Sequence, residues 1–428
     1  MFQKTELTHI VKRDGRIVPF DRTRIEKAVE KALIATKQEI KDIPVKIADK
    51  VVEELRKKKK EDKKFIPTVE GVQDLVEKAL MQQGLYETAK AYILYRDWRA
   101  RLRRRNIFQK RLNLKPYEYP ELIDYVSAIR HSYWLHTEFN FTSDIQDFKV
   151  KINEIERNAI KNSSLAIAQI ELQVKQFWGD LYKRLPKPEI AAVGYTFAES
   201  EVRHMDAYSH LLSVLSLEED FKKVSEIKPL KERVFYLEKA RHFALQEDNK
   251  EFSKAILLFS MFVEHISLFS QFLVIMSFNK FKNLFKGTSN AVEATSKEEQ
   301  IHGLFGIELI NIIREENKDW FDEKYIETVT SLCKELYQSE EQLIDWIFEK
   351  GDLEFLNRTV VKEFIKNRIN NDLEAVNFPK MFEVNKDLLK TTQWFEEEVV
   401  ATKHTDFFFK RSINYSRRQF SVTPEDIF

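Results

Sequence analysis

Cysteine is nearly absent from this chain. One thiol, Cys333, stands among 428 residues, which excludes an internal disulfide and a cysteine-based zinc site. Glycine and proline are also scarce, at 9 and 10, so few tight turns are available and a mainly helical fold with few hairpins is expected. The first residues, MFQKTELTHIVKRDGR, lack the apolar stretch of a signal peptide; with the single thiol, that predicts a cytoplasmic protein. Net charge is close to absent too, at +1, but the balance is uneven. Residues 1–105 carry 27 Lys and Arg against 17 Asp and Glu, and the remainder carries 43 against 52. The N-terminal part should attract an anion, and a nucleotide would serve as well as nucleic acid. The run Lys57–Lys60 reads as a solvated helix end, so no nucleic-acid partner is expected. Only one long apolar run is present, Ala255–Phe278. It is long enough to span a bilayer, yet Glu264 and His265 lie mid-segment, where lipid would penalise them. It reads as the buried helix of a bundle, not as a membrane anchor.

What the chain does contain is helical periodicity and acids within it. HIVKRDGRIVPF reads as a hairpin turning at Asp14-Gly15. Helical patterns follow over roughly 22–36, 44–60 and 68–82, the third with Thr68 as N-cap, and again from about Tyr86. From about 120 the strongest helical segments are roughly 153–178, 189–216, 252–281, 290–316, 322–350 and 353–377. Four of the longest carry acid on an apolar face. Glu171 shares a stripe with Ile167, Ile170 and Val174, and Glu264 lies inside the apolar run. Glu201 with His204, and Glu299 with His302, are E-x-x-H pairs, whose members share a helix face. Unpaired buried carboxylates are costly and need protons or metal to neutralise them. The order E, E-x-x-H, E, E-x-x-H on four helices matches the ligand set of ferritin-like dimetal carboxylate proteins, and hard oxygens with one imidazole per ion suit two divalent metals.

The stretches IELQVKQFWGDL, FAESEVRHMDAY, FVEHISLFSQF and SKEEQIHG resemble the radical-generating small subunit of class I ribonucleotide reductase, over roughly residues 120 to 428. The resemblance implies that Glu171, Glu201, His204, Glu264, Glu299 and His302 are the six ligands of two metal ions and that Tyr208 stands at the radical-tyrosine position. It places Glu298 between His204 and Trp134, on the electron route to a large catalytic subunit. In the tail it implies Tyr415 as relay and SVTPEDIF as docking peptide. Two positions depart from the common diiron pattern: Glu171 and Glu298 stand where aspartates are usual. A glutamate first ligand resembles the subclass in which a dimanganese cluster stores the oxidising equivalent, with Tyr208 a spectator. Manganese is therefore preferred, with a diiron centre and a Tyr208 radical as the alternative, and dioxygen or superoxide as activating oxidant. One cysteine cannot supply the thiyl radical and cysteine pair that ribonucleotide reduction needs, so that chemistry belongs to the large subunit. A dimetal oxidase or oxygenase and a ferritin-type store are the rival readings.

VKRDGRIVPFDRTRIEKAV and PTVEGVQDLVEKALMQQGLYETAKAYILYR are similar to the two halves of the ATP-cone, a regulatory nucleotide-binding module. Lys12, Arg13, Arg24, Lys90 and Arg96 would supply cations for phosphates. Asp21 would accept from a ribose hydroxyl, Ile10 and Val11 would pack on the base, and Thr68 adds a hydroxyl at the second half. The resemblance implies ATP activation and dATP inhibition, with homodimers driven into tetramers by dATP. The expected organisation is a small α+β cone of hairpin and helices over 1–103, a linker over 104–119, a ferritin-like helical bundle over 120–405 and a docking tail over 406–428.

Overall fold

The computed structural model describes residues 7–13, 15–102, 105–111 and 113–400, with the backbone alone at 98, 99, 101, 102, 171–174 and 400. Asp14 of the expected turn, the side chain of Glu171, and Tyr415 with the rest of the docking tail lie outside the described residues. The chain forms two compact units divided after Arg105.

The first unit opens on strands β1 (His9–Val11) and β2 (Ile17–Pro19), antiparallel with Ile10 opposite Val18. Gly15 adopts φ +82° in the turn between them, a conformation open to glycine without steric cost. Helices α1 (Thr23–Ala35), α2 (Ile43–Glu61), α3 (Val69–Gln82) and α4 (Tyr86–Leu102) follow. Their apolar stripes, among them Val29, Leu33, Ile47, Val51, Val76 and Leu80, meet in one small core. Thr68 caps α3 by accepting from the Gly71 amide at 3.1 Å. The Val11 amide donates to the Pro67 carbonyl at 2.9 Å, tying the hairpin to that cap.

The second unit is a helical bundle. Its longer helices are α5 (Ile123–His131), then, after the short α6 (Thr142–Gln146), α7 (Glu154–Arg184) and α8 (Pro188–Val214). A single turn, α9 (Glu218–Phe221), leads to α10 (Lys228–Ala244) and α11 (Asn249–Ile256). A π-helical segment, Leu257–Ser267, continues α11 into α12 (Phe269–Lys282), and α13 (Lys286–Glu316) returns alongside it. The outer members are α14 (Glu323–Ile347), α15 (Arg358–Ala375), α16 (Lys386–Leu389) and α17 (Gln393–Val400). The apolar run forms the centre: every residue from Phe252 to Phe278 is buried, as a helix apolar on all sides must be in water. By length and composition this helix would span a membrane; the bundle buries its entire apolar window.

The start of α13 is fixed from outside the helix. Phe285 precedes it at φ 55° and offers no capping side chain. Asp147 accepts from the Phe285 amide at 2.8 Å, and Asp144 from the Thr288 amide and hydroxyl at 2.6 and 2.7 Å. Orphan amides of a first turn need such acceptors when buried. These bonds set the position of the helix that carries Glu298, Glu299 and His302.

Further along α13, burial pushes the Glu308 carboxyl up to about 7, against the bond it accepts from the Tyr125 hydroxyl at 2.7 Å and with help from Glu121. The native state thus keeps a proton that the unfolded chain loses near 4.5. The stability this proton brings is complete below the unfolded value and lost as pH rises through about 7. The loss is on the order of 3 kcal/mol. Glu308→Gln should raise the denaturation midpoint at about pH 8 and change it far less at about pH 5; equal effects at both would sink the assignment.

Candidate metal centre

Helix periodicity places the two E-x-x-H pairs on the inner faces of α8 and α13, and Glu264 on the π-helical segment between α11 and α12. Glu201, Glu264, Glu299 and His302 each offer a ligand atom within 4.8 Å of the others, all buried. His204 joins them, its Nδ1 2.9 Å from Glu299 Oε1 and 3.3 Å from Glu201 Oε2. His302 Nδ1 faces Glu201 at 3.0 Å, Glu299 at 3.1 Å and Glu264 at 3.6 Å. Five of the six expected ligands therefore meet at one place. Glu171 lies on α7, and its side chain is outside the described residues.

Outer contacts fix which imidazole nitrogen faces inward. His204 Nε2 donates to Glu298 Oε2 at 2.8 Å. His302 Nε2 lies 3.1 Å from Ser200 Oγ, whose own proton goes to the Phe197 carbonyl at 2.8 Å, so the imidazole is the donor there. Both Nδ1 lone pairs are thereby turned toward carboxylate oxygens. Glu201 Oε1, His204 Nδ1, Glu264 Oε2 and Glu299 Oε1 are buried and have no aligned hydrogen-bond partner. Lone pairs converging on one another at about 3 Å repel unless a cation lies between them.

Titration points the same way. Burial disfavours a charged His302, yet the adjoining carboxylates of Glu201 and Glu264 lift its pKa to about 10. Burial likewise opposes charge on His204, but Glu299, Glu201 and Glu298 raise it well above the ordinary histidine value. Burial and the charges of Glu201 and Glu264 push Glu299 well up. For Glu201, the burial penalty is outweighed by both histidines, which hold it below the carboxylate range. Apart from Glu201, these groups hold protons more tightly than free side chains do, as a site short of cations does, and bound metals would release them. The donor set, carboxylate oxygens with one imidazole on each side, fits two divalent ions.

Two contacts escaped the sequence reading. Trp178 Nε1 donates to Glu264 Oε1 at 2.7 Å; its place seven residues after Glu171, on the same face of α7, is the signal that was there to use. Arg203, between Glu201 and His204, is buried and reaches Glu298 from both terminal nitrogens at 3.2 Å. Glu298 bonds His204, but buried Trp134 Nε1 has no hydrogen-bond partner among the described residues. The indole instead stacks on His204, with ring centres 5.8 Å apart and planes inclined by 14°. Tyr208 is buried on α8, one turn past His204.

In the first unit the expected nucleotide residues are spread over the hairpin and three helices. Arg13 is paired with Glu70 at 2.6 Å and Gln73 at 2.8 Å, and Arg96 with Asp74 at 2.5 Å and Glu77 at 2.8 Å. Asp21 accepts from the Thr23 hydroxyl and amide at 2.7 and 3.0 Å, and lies 3.5 Å from Arg24. Ile10 is partly buried against the core of the unit, and Val11 is half-buried. Lys12 is half-buried, and Lys90 and Thr68 are exposed.

A helical bundle with two E-x-x-H helices and further inward-facing carboxylates defines the ferritin-like dimetal carboxylate class. The sequence model for the ribonucleotide reductase small chain matches residues 111–388, and that for the ATP cone domain matches residues 8–101. The chain belongs to the family of ribonucleotide reductase small chains, and it carries an N-terminal ATP cone. A probable ribonucleoside-diphosphate reductase small subunit of Invertebrate iridescent virus 6 is 28% identical over 335 residues, spanning 71% of this chain and 93% of the viral one. Among solved structures, the ribonucleotide reductase R2 subunit of Clostridium botulinum superposes with a TM-score of 0.60 at 19% identity, over 66% of this chain and 88% of that one. A dimanganese(II) NrdF of Streptococcus sanguinis gives a TM-score of 0.56 at 18% identity, over 66% and 99%. At these identities the two structures speak for the fold.

Proposed function

We propose that the protein is the small subunit of a ribonucleoside-diphosphate reductase, active only beside a large catalytic subunit and regulated through its own cone. The observation that carries this reading is the meeting of Glu201, His204, Glu264, Glu299 and His302 in a chain that also bears the cone. With Glu171, these residues would hold two ions, manganese preferred and iron the alternative. Bound there and treated with dioxygen or superoxide, the ions would supply a one-electron oxidant. The chain's own part is to keep water out with Trp178 and Phe197, which pack on His302, and with Phe305, which packs on both of those rings. It also holds each imidazole in one tautomer, through Glu298 and Ser200. Trp134 and Tyr415 would carry the equivalent toward the large subunit.

Electron paramagnetic resonance at low temperature on metal-loaded, oxygen-exposed protein tests the centre. A multiline coupled-manganese signal, with turnover retained in Tyr208→Phe, is the expected result. A narrow tyrosyl doublet that Tyr208→Phe abolishes together with turnover would assign the iron form. Absence of any radical or mixed-valent species would favour metal storage and overturn the reading.

For the cone, ATP is expected to leave homodimers competent for the large subunit and dATP to drive them into inactive tetramers, in the cytoplasm. Size measurement with saturating ATP and then dATP checks this, and an unchanged assembly state refutes the mechanism.

A further inference from the structure

The geometry around Trp134 has one residue at its centre. Arg203 donates from Nη1 and Nη2 to the two oxygens of Glu298 at 3.2 Å, and from Nη1 to the Trp134 carbonyl, also at 3.2 Å. Its Nε bonds the half-exposed Glu199 at 3.0 Å. The guanidinium carbon lies 4.5 Å from the ring centre of exposed Tyr133 and 5.7 Å from that of Trp134. Ser132 Oγ adds a fourth bond to Glu298, at 3.2 Å. Counting His204, the carboxylate then accepts from three side chains, and the indole N–H is not among them. A buried N–H without an acceptor is unfavourable. The ring must therefore be held by other contacts, and the stack on His204 and the bond from Arg203 to the Trp134 carbonyl are there to do it.

We propose that Arg203 is a positioning residue that occupies the place at Glu298 an indole N–H would otherwise take. It clamps the carboxylate onto His204 and leaves the indole ring of Trp134 stacked on that imidazole, with its N–H outside the hydrogen bonds to Glu298. Among the described residues the Nε1 proton of Trp134 then has no base within hydrogen-bond reach. Arginine suits the task because its planar fork presents five donors and stays charged, so one side chain serves a carboxylate, a carbonyl and a second acid together. Lysine would bring the charge without the fork. The inference rests on the radical-export reading for its functional meaning, but the hydrogen-bond arrangement can be measured without metal or turnover.

The test is the indole N–H spectrum of full-length, metal-free protein labelled with 15N-tryptophan. Six tryptophans are present, and Trp134→Phe identifies the resonance of Trp134. In the wild type that resonance is expected in the range of indoles without an acceptor. In Arg203→Met, Glu298 loses two donors and is free to accept from Nε1, so the Trp134 signal moves downfield while the other five stay in place. Arg203→Lys should also move it, because charge alone does not fill both oxygens. A wild-type signal already in the hydrogen-bonded range overturns the proposal without any variant. So does a signal that stays in place in Arg203→Met and Arg203→Lys chains whose other five signals match the wild type. Failure of the radical-export reading would show elsewhere, as wild-type protein without turnover beside the large subunit, and would leave the resonance result standing.

Discussion

Glu299→Ala is expected to bind at most one manganese ion per chain, counted by elemental analysis after desalting, and to lose turnover by more than about a hundredfold. Among the described residues Glu299 is within about 3 Å of both inward-facing imidazoles, Oε1 at 2.9 Å from His204 and Oε2 at 3.1 Å from His302. Glu201 is the other carboxylate that spans them, at 3.3 and 3.0 Å. Removing either leaves two nitrogen ligands with one shared oxygen donor. Glu299→Gln separates charge from shape. Burial and the neighbouring acids already favour a neutral Glu299 in the metal-free protein, so the amide should melt close to wild type and still fail to load. Two ions bound at wild-type affinity in Glu299→Ala would refute the assignment of Glu299 as a ligand.

Gly306→Val should be strongly disruptive although it lies outside the cluster. A Cβ at Gly306 would overlap the Oγ and Cβ atoms of Ser260, and one at Gly303 would come 2.6 Å from His265 Cγ. These two glycines let α13 lie against the π-helical segment, so the helix bearing Glu299 and His302 meets the one bearing Glu264 backbone to side chain. A valine forces them apart, at a cost of about 3 kcal/mol or more. The lower denaturation midpoint should come with weakened metal uptake. Gly179→Ala is the matched control: the nearest atom to its added Cβ, in Ala198, is 3.9 Å away, and helix propensity alone should make it neutral or slightly stabilising. Equal losses in the two variants would show that helix packing at Gly306 is not the cause.

The bundle and five of the six expected ligand positions were legible because a dimetal site calls for a spacing that the helix period repeats. Two E-x-x-H pairs and an acid inside an apolar run rarely coincide unless a metal needs them. Helix α10 was not legible among the strong segments. Its inward face carries Arg233, which donates to the Ala166 carbonyl and to Gln271 at 2.9 Å and pairs with Glu340 at 3.4 Å, so burial there does not follow hydrophobicity. Arg203 was hidden for a related reason. An arginine beside a histidine in a charged heptad looks solvated, and nothing local says that Glu298, 95 residues on, will turn it inward. The start expected near 353 for α15 moved to Arg358 because the Asn357 side chain accepts from the Val360 amide, a cap that apolar periodicity does not register.

The paired arginines of the first unit bear on how the cone would respond to effector. On the reading proposed above, a phosphate reaching Arg13 or Arg96 finds Glu70, Asp74 and Glu77 already seated on those guanidinium groups. The acids act as built-in competitors: each must be displaced before the nucleotide is held, and each displaced acid is a free charge that has to settle elsewhere. Affinity is given up in exchange for a threshold, so the cone would stay closed to stray anions and answer only when effector is abundant. Neutralising Glu70 or Glu77 would lower that threshold and make the chain sensitive to effector concentrations it otherwise ignores.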